Sequence, residues 1–370
     1  MNPDAVRAIY RLRATGPAAE KRAHALALEQ SIEMPSEAVT DARVLRDVVA
    51  RVESLVAQPD GSTLATLLLS GESIAGDAGQ LMNMLFGNSS LLDDVEVVAV
   101  AVPDALAARF GGPALGIDGL RRLIGAFGRA LSCTALKPIG STVEDLSRMT
   151  AVFAQSGIDL IKDDHGWAAH ARASFEERVV ACQREVDRAN RGRAGRTLYA
   201  PALSGDALAM REQLRFAMDH GVAAVLIAPM IAGVSNFNAL RREFPEVAFL
   251  AHPALAGNGI APETLLGTLF RVFGADAVIF PNHGGRFSYT RAACDAIVGN
   301  LRAPRSGIKA ALPVPAGSMP VERVPELVAE YGRDSMLLIG GSLLMARDAL
   351  AARSRTFVEA VAAASSEVAA

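Results

Sequence analysis

Lysine is scarce in this chain. Of 37 basic residues only Lys21, Lys137, Lys162 and Lys309 are lysines, so arginine carries the positive charge. Cysteine is scarcer: Cys133, Cys182 and Cys294 are odd in number and far apart, which excludes a disulfide framework and suits a reducing compartment. Long apolar runs are missing too. The run 223–234 is broken by Pro229 and Gly233 and falls short of the ~20 residues a membrane span requires. The start Met1-Asn2-Pro3-Asp4 has no basic segment leading into an apolar one, so no secretory signal is expected and the expected location is the cytoplasm. Neither charge sign dominates: a net charge of −3 and a pI near 6.1 offer no electrostatic case for nucleic acid or anionic membrane.

What is present is apolar bulk. The 370 residues are 51% hydrophobic and 21% charged, enough for two domains or for one barrel with an appendage. Residues 1–115 read as a small α+β domain with an antiparallel sheet, its strands at Val6 to Arg13, Leu64 to Ser70 and Val95 to Val102, with a helix at Pro17 to Ser31. Gly111-Gly112-Pro113 is the expected linker.

From about residue 130 short apolar runs alternate with amphipathic segments. The expected strands are Ala130 to Thr134, Leu160 to Asp163, Thr197 to Ala202, Ala223 to Ala228, Val247 to Ala251, Ala277 to Phe280, Ala311 to Val314 and Ser335 to Ile339. Their near-continuous apolarity is what a parallel sheet covered on both faces demands. Ser141-Thr142-Val143-Glu144 fits a capping box. Gly157, Gly221, Gly274 and Gly332 each stand just before a strand, where a helix end needs positive φ. Eight such units over residues 116–370 imply a C-terminal (β/α)8 TIM barrel. An open doubly wound sheet is the alternative, but no Gly-x-Gly-x-x-Gly follows any early strand.

In such a barrel the chemistry sits at the C-terminal strand ends. Strand two ends in four consecutive ionisable residues, Lys162-Asp163-Asp164-His165, directly after an apolar run. Burying such charges costs several kcal/mol unless they are paired, shifted or bound to something. Lys162 and Asp164 share a face while Asp163 points the other way. Other strand ends bring Lys137, His252, His283 and Arg286 to the same rim. Each alone has a dull explanation, such as a satisfied core histidine or a lysine reaching out of a strand end. Gly317-Ser318 and Gly340-Gly341, after strands seven and eight, leave backbone N–H groups free for a phosphate. Asp164 offers an oxygen ligand; Lys162 could offer one only as a carbamate.

These residues carry a resemblance. Thr134-Ala135-Leu136-Lys137-Pro138, Gly157 through Asp164, Ala251-His252-Pro253-Ala254, Asn282-His283-Gly284-Gly285-Arg286 and Gly340-Gly341 resemble the RuBisCO large-subunit superfamily, in its RuBisCO-like (form IV) branch. Leu28-Glu29-Gln30-Ser31 and Phe86-Gly87-Asn88 extend it through the N-terminal part, where the resemblance implies a ferredoxin-like domain. It implies Mg²⁺ or another divalent metal on carbamylated Lys162, Asp164 and His165, with Lys137 as the acid/base lysine. His252 and His283 would flank the substrate, and Thr134, Arg286, Gly317, Ser318, Gly340 and Gly341 would bind it and its phosphate. Asn88 and Glu29 would reach a partner's site in a homodimer.

The departures matter as much. His165 stands where the family has a glutamate ligand, and imidazole suits transition metals better than Mg²⁺. The stretch Arg286 to Thr290 lacks the carboxylases' loop lysine, Pro253 replaces an arginine that binds a second phosphate, and Ile139 replaces a second lysine. CO2 fixation is therefore not expected. The expected enzyme forms an enediolate from a monophosphorylated ketose or 3-oxo sugar acid and tautomerises, isomerises or decarboxylates it. A metal-free acid/base isomerase and a non-catalytic or regulatory protein are the alternatives.

Overall fold

A computed structural model describes residues 4–168, 172–257, 259–287 and 289–368, which leaves residues 1–3, 169–171, 258, 288 and 369–370 outside the described residues. Near the N-terminus, β1 (Val6–Leu12) buries Val6, Ala8, Tyr10 and Leu12 and turns the residues between them outward. It pairs antiparallel with β3 (Thr63–Leu69) and β4 (Val95–Ala101), and β3 pairs antiparallel with β2 (Arg51–Ala57). The order β2-β3-β1-β4, with helices Gly16–Glu29 after β1 and Ala78–Phe86 after β3, is ferredoxin-like. Sequence patterning misses β2. This edge strand is exposed along most of its length, so no buried face imposes an alternation on it.

All eight expected barrel strands form. They are β5 (Leu131–Leu136), β6 (Leu160–Asp163), β7 (Leu198–Ala200), β8 (Ala224–Ile227), β9 (Ala248–Ala251), β10 (Ala277–Pro281), β11 (Leu312–Ala316) and β12 (Met336–Leu338). Two parallel arcs, β12-β5-β6-β7 and β8-β9-β10-β11, make the wall. The bridge Ala202–Leu226 joins them beyond β7, and β11 lies against β12 on the other side. Adjacent side chains along each strand separate into two cores. Leu131, Cys133, Leu160, Leu226, Leu250, Ile279 and Val314 fill the barrel, while Leu136, Ile161, Tyr199, Val225, Phe249 and Phe280 pack with the helices.

Helix ends follow local chemistry. The helix Val143–Gln155 opens on a capping box, but one residue later than expected: Thr142 caps and Asp145 answers, while Ser141 bonds the Pro138 carbonyl instead. Gly157, Gly221, Gly274 and Gly332 all take positive φ. The lower ends of the strands are tied by buried aspartates. Asp159 accepts from the Ser132 N–H and pairs with Arg129, and Asp276 accepts from the N–H groups of Leu115, Gly116 and Phe249. The second set anchors the start of the barrel domain to its floor. Above, β4 meets the loop after β9: Val97 donates to the Gly259 carbonyl at 2.8 Å and accepts from Ala261 at 2.9 Å. A Cβ on Gly259 would lie 2.0 Å from the Phe86 ring, so only glycine lets the chain pass there. The N-terminal sheet thus roofs part of the barrel mouth. No helix of the described residues is long and apolar enough to cross a membrane.

Candidate active site

The site begins with the parity of β6. Leu160 points into the barrel, so Lys162 and Asp164 do as well, and Asp163 faces the helix layer. There Asp163 is fully buried. It pairs with Arg178 at 3.3 Å and accepts from Tyr199 Oη at 2.8 Å and from the Ala202 N–H at 3.1 Å. Arg178 in turn donates to the Ala173 carbonyl and lies 4.9 Å from the Trp167 ring. This outer network locks the strand end that carries the inner pair.

Inside, Lys162 is buried and its Nζ donates to the Asp163 carbonyl oxygen at 2.8 Å. Burial pushes its pKa down, and the positive charge of Lys137 adds to that; nearby Asp164 and Asp163 oppose it. Lys137, at the end of β5, forms an ion pair with Asp164 Oδ2, and His165 Nδ1 meets Asp164 Oδ1 at 2.8 Å. Burial alone would raise the Asp164 carboxyl. The hydrogen bonds from His165 and Lys137 and the charges of Lys162 and Lys137 outweigh it and hold the group well below the usual carboxylate range. His252, at the end of β9, stacks on His165 with ring centroids 3.8 Å apart and planes 11° from parallel. Burial and then the charge of Lys162 push His252 down to about 2, so it stays neutral at any ordinary pH. Two lysines, a carboxylate and two stacked imidazoles therefore meet at one point of the mouth.

Beside it are the loops expected to hold phosphate. Gly317 and Ser318 both have positive φ, 107° and 59°. Ser342 Oγ donates to the Met319 carbonyl at 2.8 Å, tying the two loops together. A Cβ on Gly340 would sit 3.7 Å from that of Ala135, which places this loop against the strand that ends in Lys137. Space beside Gly341 is open. Gly285 is needed where it is, because a Cβ there would fall 2.3 Å from the Gly317 carbonyl oxygen. Arg286 donates its backbone N–H to that same oxygen at 3.3 Å and rests its exposed guanidinium 4.8 Å from the Phe287 ring. Ile139, which stands in place of the carboxylases' second lysine, is half exposed and packs over Gly166.

Two expected site residues lie elsewhere. Thr134 alternates with the inward Cys133 and is in register with the outward Ile161, so its buried hydroxyl faces the helix layer and not the mouth. His283 leaves the mouth for the helix Val324–Tyr331, where Nε2 meets both carboxylate oxygens of Glu330 at 2.9 Å. The Glu330 side chain is 4% exposed and was not legible in the sequence, because a carboxylate in a mostly apolar helix carries no sign of its histidine partner. His283, Glu326 and Glu330 bring donor atoms within 4.8 Å of one another, with Arg291 and Arg323 paired to the acids. Asn282, beside His283 in the same motif, is fully buried and accepts from the Tyr331 hydroxyl. On the N-terminal domain Asn88 donates to Glu29 Oε1 at 2.8 Å.

The residues of the inner cluster fit a divalent cation. Asp164 is held ionised, Nδ1 of His165 is taken up by Asp164 so that Nε2 is left over, and burial favours the neutral Lys162 amine that CO2 would convert to a carbamate.

Residues 116–278 match the family model described as ribulose bisphosphate carboxylase large chain, catalytic domain. The 5-methylthioribulose-1-phosphate isomerase of Rhodospirillum rubrum is 50% identical over 365 residues, covering 98% of this chain and 98% of its own. The 2,3-diketo-5-methylthiopentyl-1-phosphate enolase of Microcystis aeruginosa is 28% identical over 354 residues, covering 93% and 90%. A RuBisCO-like protein from Rhodopseudomonas palustris shares the fold at a TM-score of 0.90 and 43% identity, over 97% of this chain and 98% of that one. The chain belongs to the RuBisCO large-chain superfamily, as a non-carboxylating enzyme of its RuBisCO-like branch.

Proposed function

We propose that this enzyme isomerises a singly phosphorylated ketose of the 5-methylthioribulose 1-phosphate type. The observation that carries the reading is the cluster Lys137–Asp164–His165–His252 at the barrel mouth, next to the paired Gly317-Ser318 and Gly340-Gly341 loops. Half identity to an isomerase along nearly the whole chain supports this reaction over the others.

The loops' N–H groups bind the phosphate and fix the sugar's direction in the barrel. Lys137, once it leaves its ion pair with Asp164 and stands as the free amine, takes the proton from the carbon next to the carbonyl; an enediolate and the Lys137 ammonium form, and the proton returns to the former carbonyl carbon. The carbonyl has then moved along the chain with no atom gained or lost. Lys162, as a carbamate, with Asp164 and His165 would hold Mg²⁺ or another divalent cation, which when bound polarises the carbonyl oxygen. Half-exposed Ile139 gives the mouth an apolar lip, suited to a substrate whose far end is uncharged. Asn88 and Glu29 would complete the neighbouring site of a homodimer.

The test is solvent deuterium exchange into 5-methylthioribulose 1-phosphate, followed by ¹H and ³¹P NMR. Exchange with appearance of a new ketose phosphate is expected; exchange without a moved carbonyl points to enolase chemistry instead. Mg²⁺ and Mn²⁺ with bicarbonate should raise the melting temperature of the wild type but not of Lys162→Ala, and equal shifts would refute the carbamate.

A further inference from the structure

We propose that Glu330 is a positioning residue: through His283 it braces the loop after β10, and that loop fixes the peptide unit between Gly317 and Ser318. It rests on the reading above only in taking the Gly317-Ser318 loop to hold the substrate's phosphate.

The brace starts in the helix Val324–Tyr331, which lies between β11 and β12. Two of its side chains, and one just before it, reach across to the end of β10. The Glu330 side chain is 4% exposed and meets His283 Nε2 at 2.9 Å on both carboxylate oxygens. A carboxylate only accepts, so Nε2 donates. Tyr331 donates its hydroxyl to Asn282 Oδ1. Arg323 binds Glu326 through two hydrogen bonds of 2.8 and 3.0 Å and donates to the His283 carbonyl at 3.2 Å. Arg291 stands 3.4 Å from Glu330. Two guanidiniums thus balance two carboxylates, so the cluster is complete as a tie and calls for no cation.

The residues that follow carry the tie to the next loop. Asn282 donates its N–H to the Ala316 carbonyl at 2.8 Å, and Arg286 donates its own to the Gly317 carbonyl at 3.3 Å. A trans peptide is planar, with its carbonyl and its N–H pointing opposite ways. Holding the Gly317 oxygen towards Arg286 therefore turns the Ser318 N–H away from the β10 loop. That N–H donates to no acceptor among the described residues. Ser318 also keeps φ at 59°, a left-handed value that strains a serine and persists only where its surroundings impose it. Those surroundings are the β10 loop on one side and Ser342, bonded to the Met319 carbonyl at 2.8 Å, on the other. His283 belongs to this scaffold, and the phosphate is left to main-chain N–H groups.

Michaelis kinetics on the ketose phosphate that the wild type turns over test the brace. Misplacing a binding group by about 1 Å costs on the order of 10²-fold, so Glu330→Ala should raise KM at least about tenfold while kcat stays within about threefold. Glu330→Gln still accepts from His283 and should recover most of the loss. If His283 acts only through the brace, the double variant Glu330→Ala/His283→Ala should lose no more than either single one. An unchanged KM in Glu330→Ala overturns the proposal, and so do additive losses, which would return His283 to the substrate. Inorganic phosphate supplies a probe that needs no turnover. It should raise the melting temperature of the wild type and raise that of Glu330→Ala less, whereas a variant that had merely lost stability would keep the full shift. Equal shifts, or none in the wild type, overturn the proposal. A wild type that phosphate stabilises but that converts no ketose phosphate defeats the isomerase reading alone, and the melting shifts then decide the brace.

Discussion

Replacing Arg178 with methionine removes one half of a fully buried ion pair and should damage the active site from behind. The guanidinium is 1% exposed and the Asp163 carboxylate 0%. Taking away one partner of such a pair costs roughly 3–5 kcal/mol, because the other charge stays buried without compensation. Methionine keeps most of the volume, so little cavity energy adds to this. Asp163 retains its bonds from Tyr199 and Ala202, which favours the lower half of that range, while the lost Ala173 bond and the Trp167 contact push upward. A value of about 4 kcal/mol follows from these offsetting contributions. With an m-value of about 3 kcal/mol/M, the urea midpoint should fall by roughly 1.3 M. The double variant Asp163→Asn/Arg178→Met should recover at least half of the loss, since no buried charge remains. Urea unfolding followed by circular dichroism measures both. A loss under about 1 kcal/mol in the single variant, or no recovery in the double, would refute the claim that this pair holds the strand end.

Three further outcomes are expected. Lys137→Ala should fold normally and lose at least about 10²-fold of solvent exchange into substrate, the usual share of a positioned proton-transfer group. Gly285→Ala drives a methyl into the Gly317 carbonyl, so it should raise KM for the phosphorylated substrate well before it lowers the melting temperature. The depressed Asp164 group adds stability that is complete above the ordinary carboxylate value of about 4 and is lost as pH falls from there towards its lower folded value. Urea midpoints taken between pH 5 and pH 3 should therefore drop more steeply for the wild type than for Asp164→Asn; parallel curves would contradict the assignment.

The barrel was legible because its strands are buried on both faces. From Leu131 to Leu136 every residue is buried, and that leaves a near-continuous apolar run in the sequence, broken only by the small Ser132 and Thr134. The edge strand Arg51–Ala57 left no such trace, since solvent accepts almost any residue there. Period-two parity likewise sufficed to separate Lys162 and Asp164 from Asp163, because alternation along a strand is a local property.

The sequence by itself determined which residues stand at the strand ends and, through Gly157, Gly221, Gly274 and Gly332, where helices stop. Only the tertiary structure decided where their side chains go. His252 and His165 are 87 positions apart by number, and nothing local brings their rings to 3.8 Å. His283 carries the same promise in sequence yet turns to Glu330, because a helix 47 residues away presents a buried carboxylate that solvent cannot satisfy. Thr134 was lost to the site by a single step of parity, fixed when β5 paired with β6. Strand ends are set by chain-local apolarity and turn chemistry; partners are set by closure of the barrel.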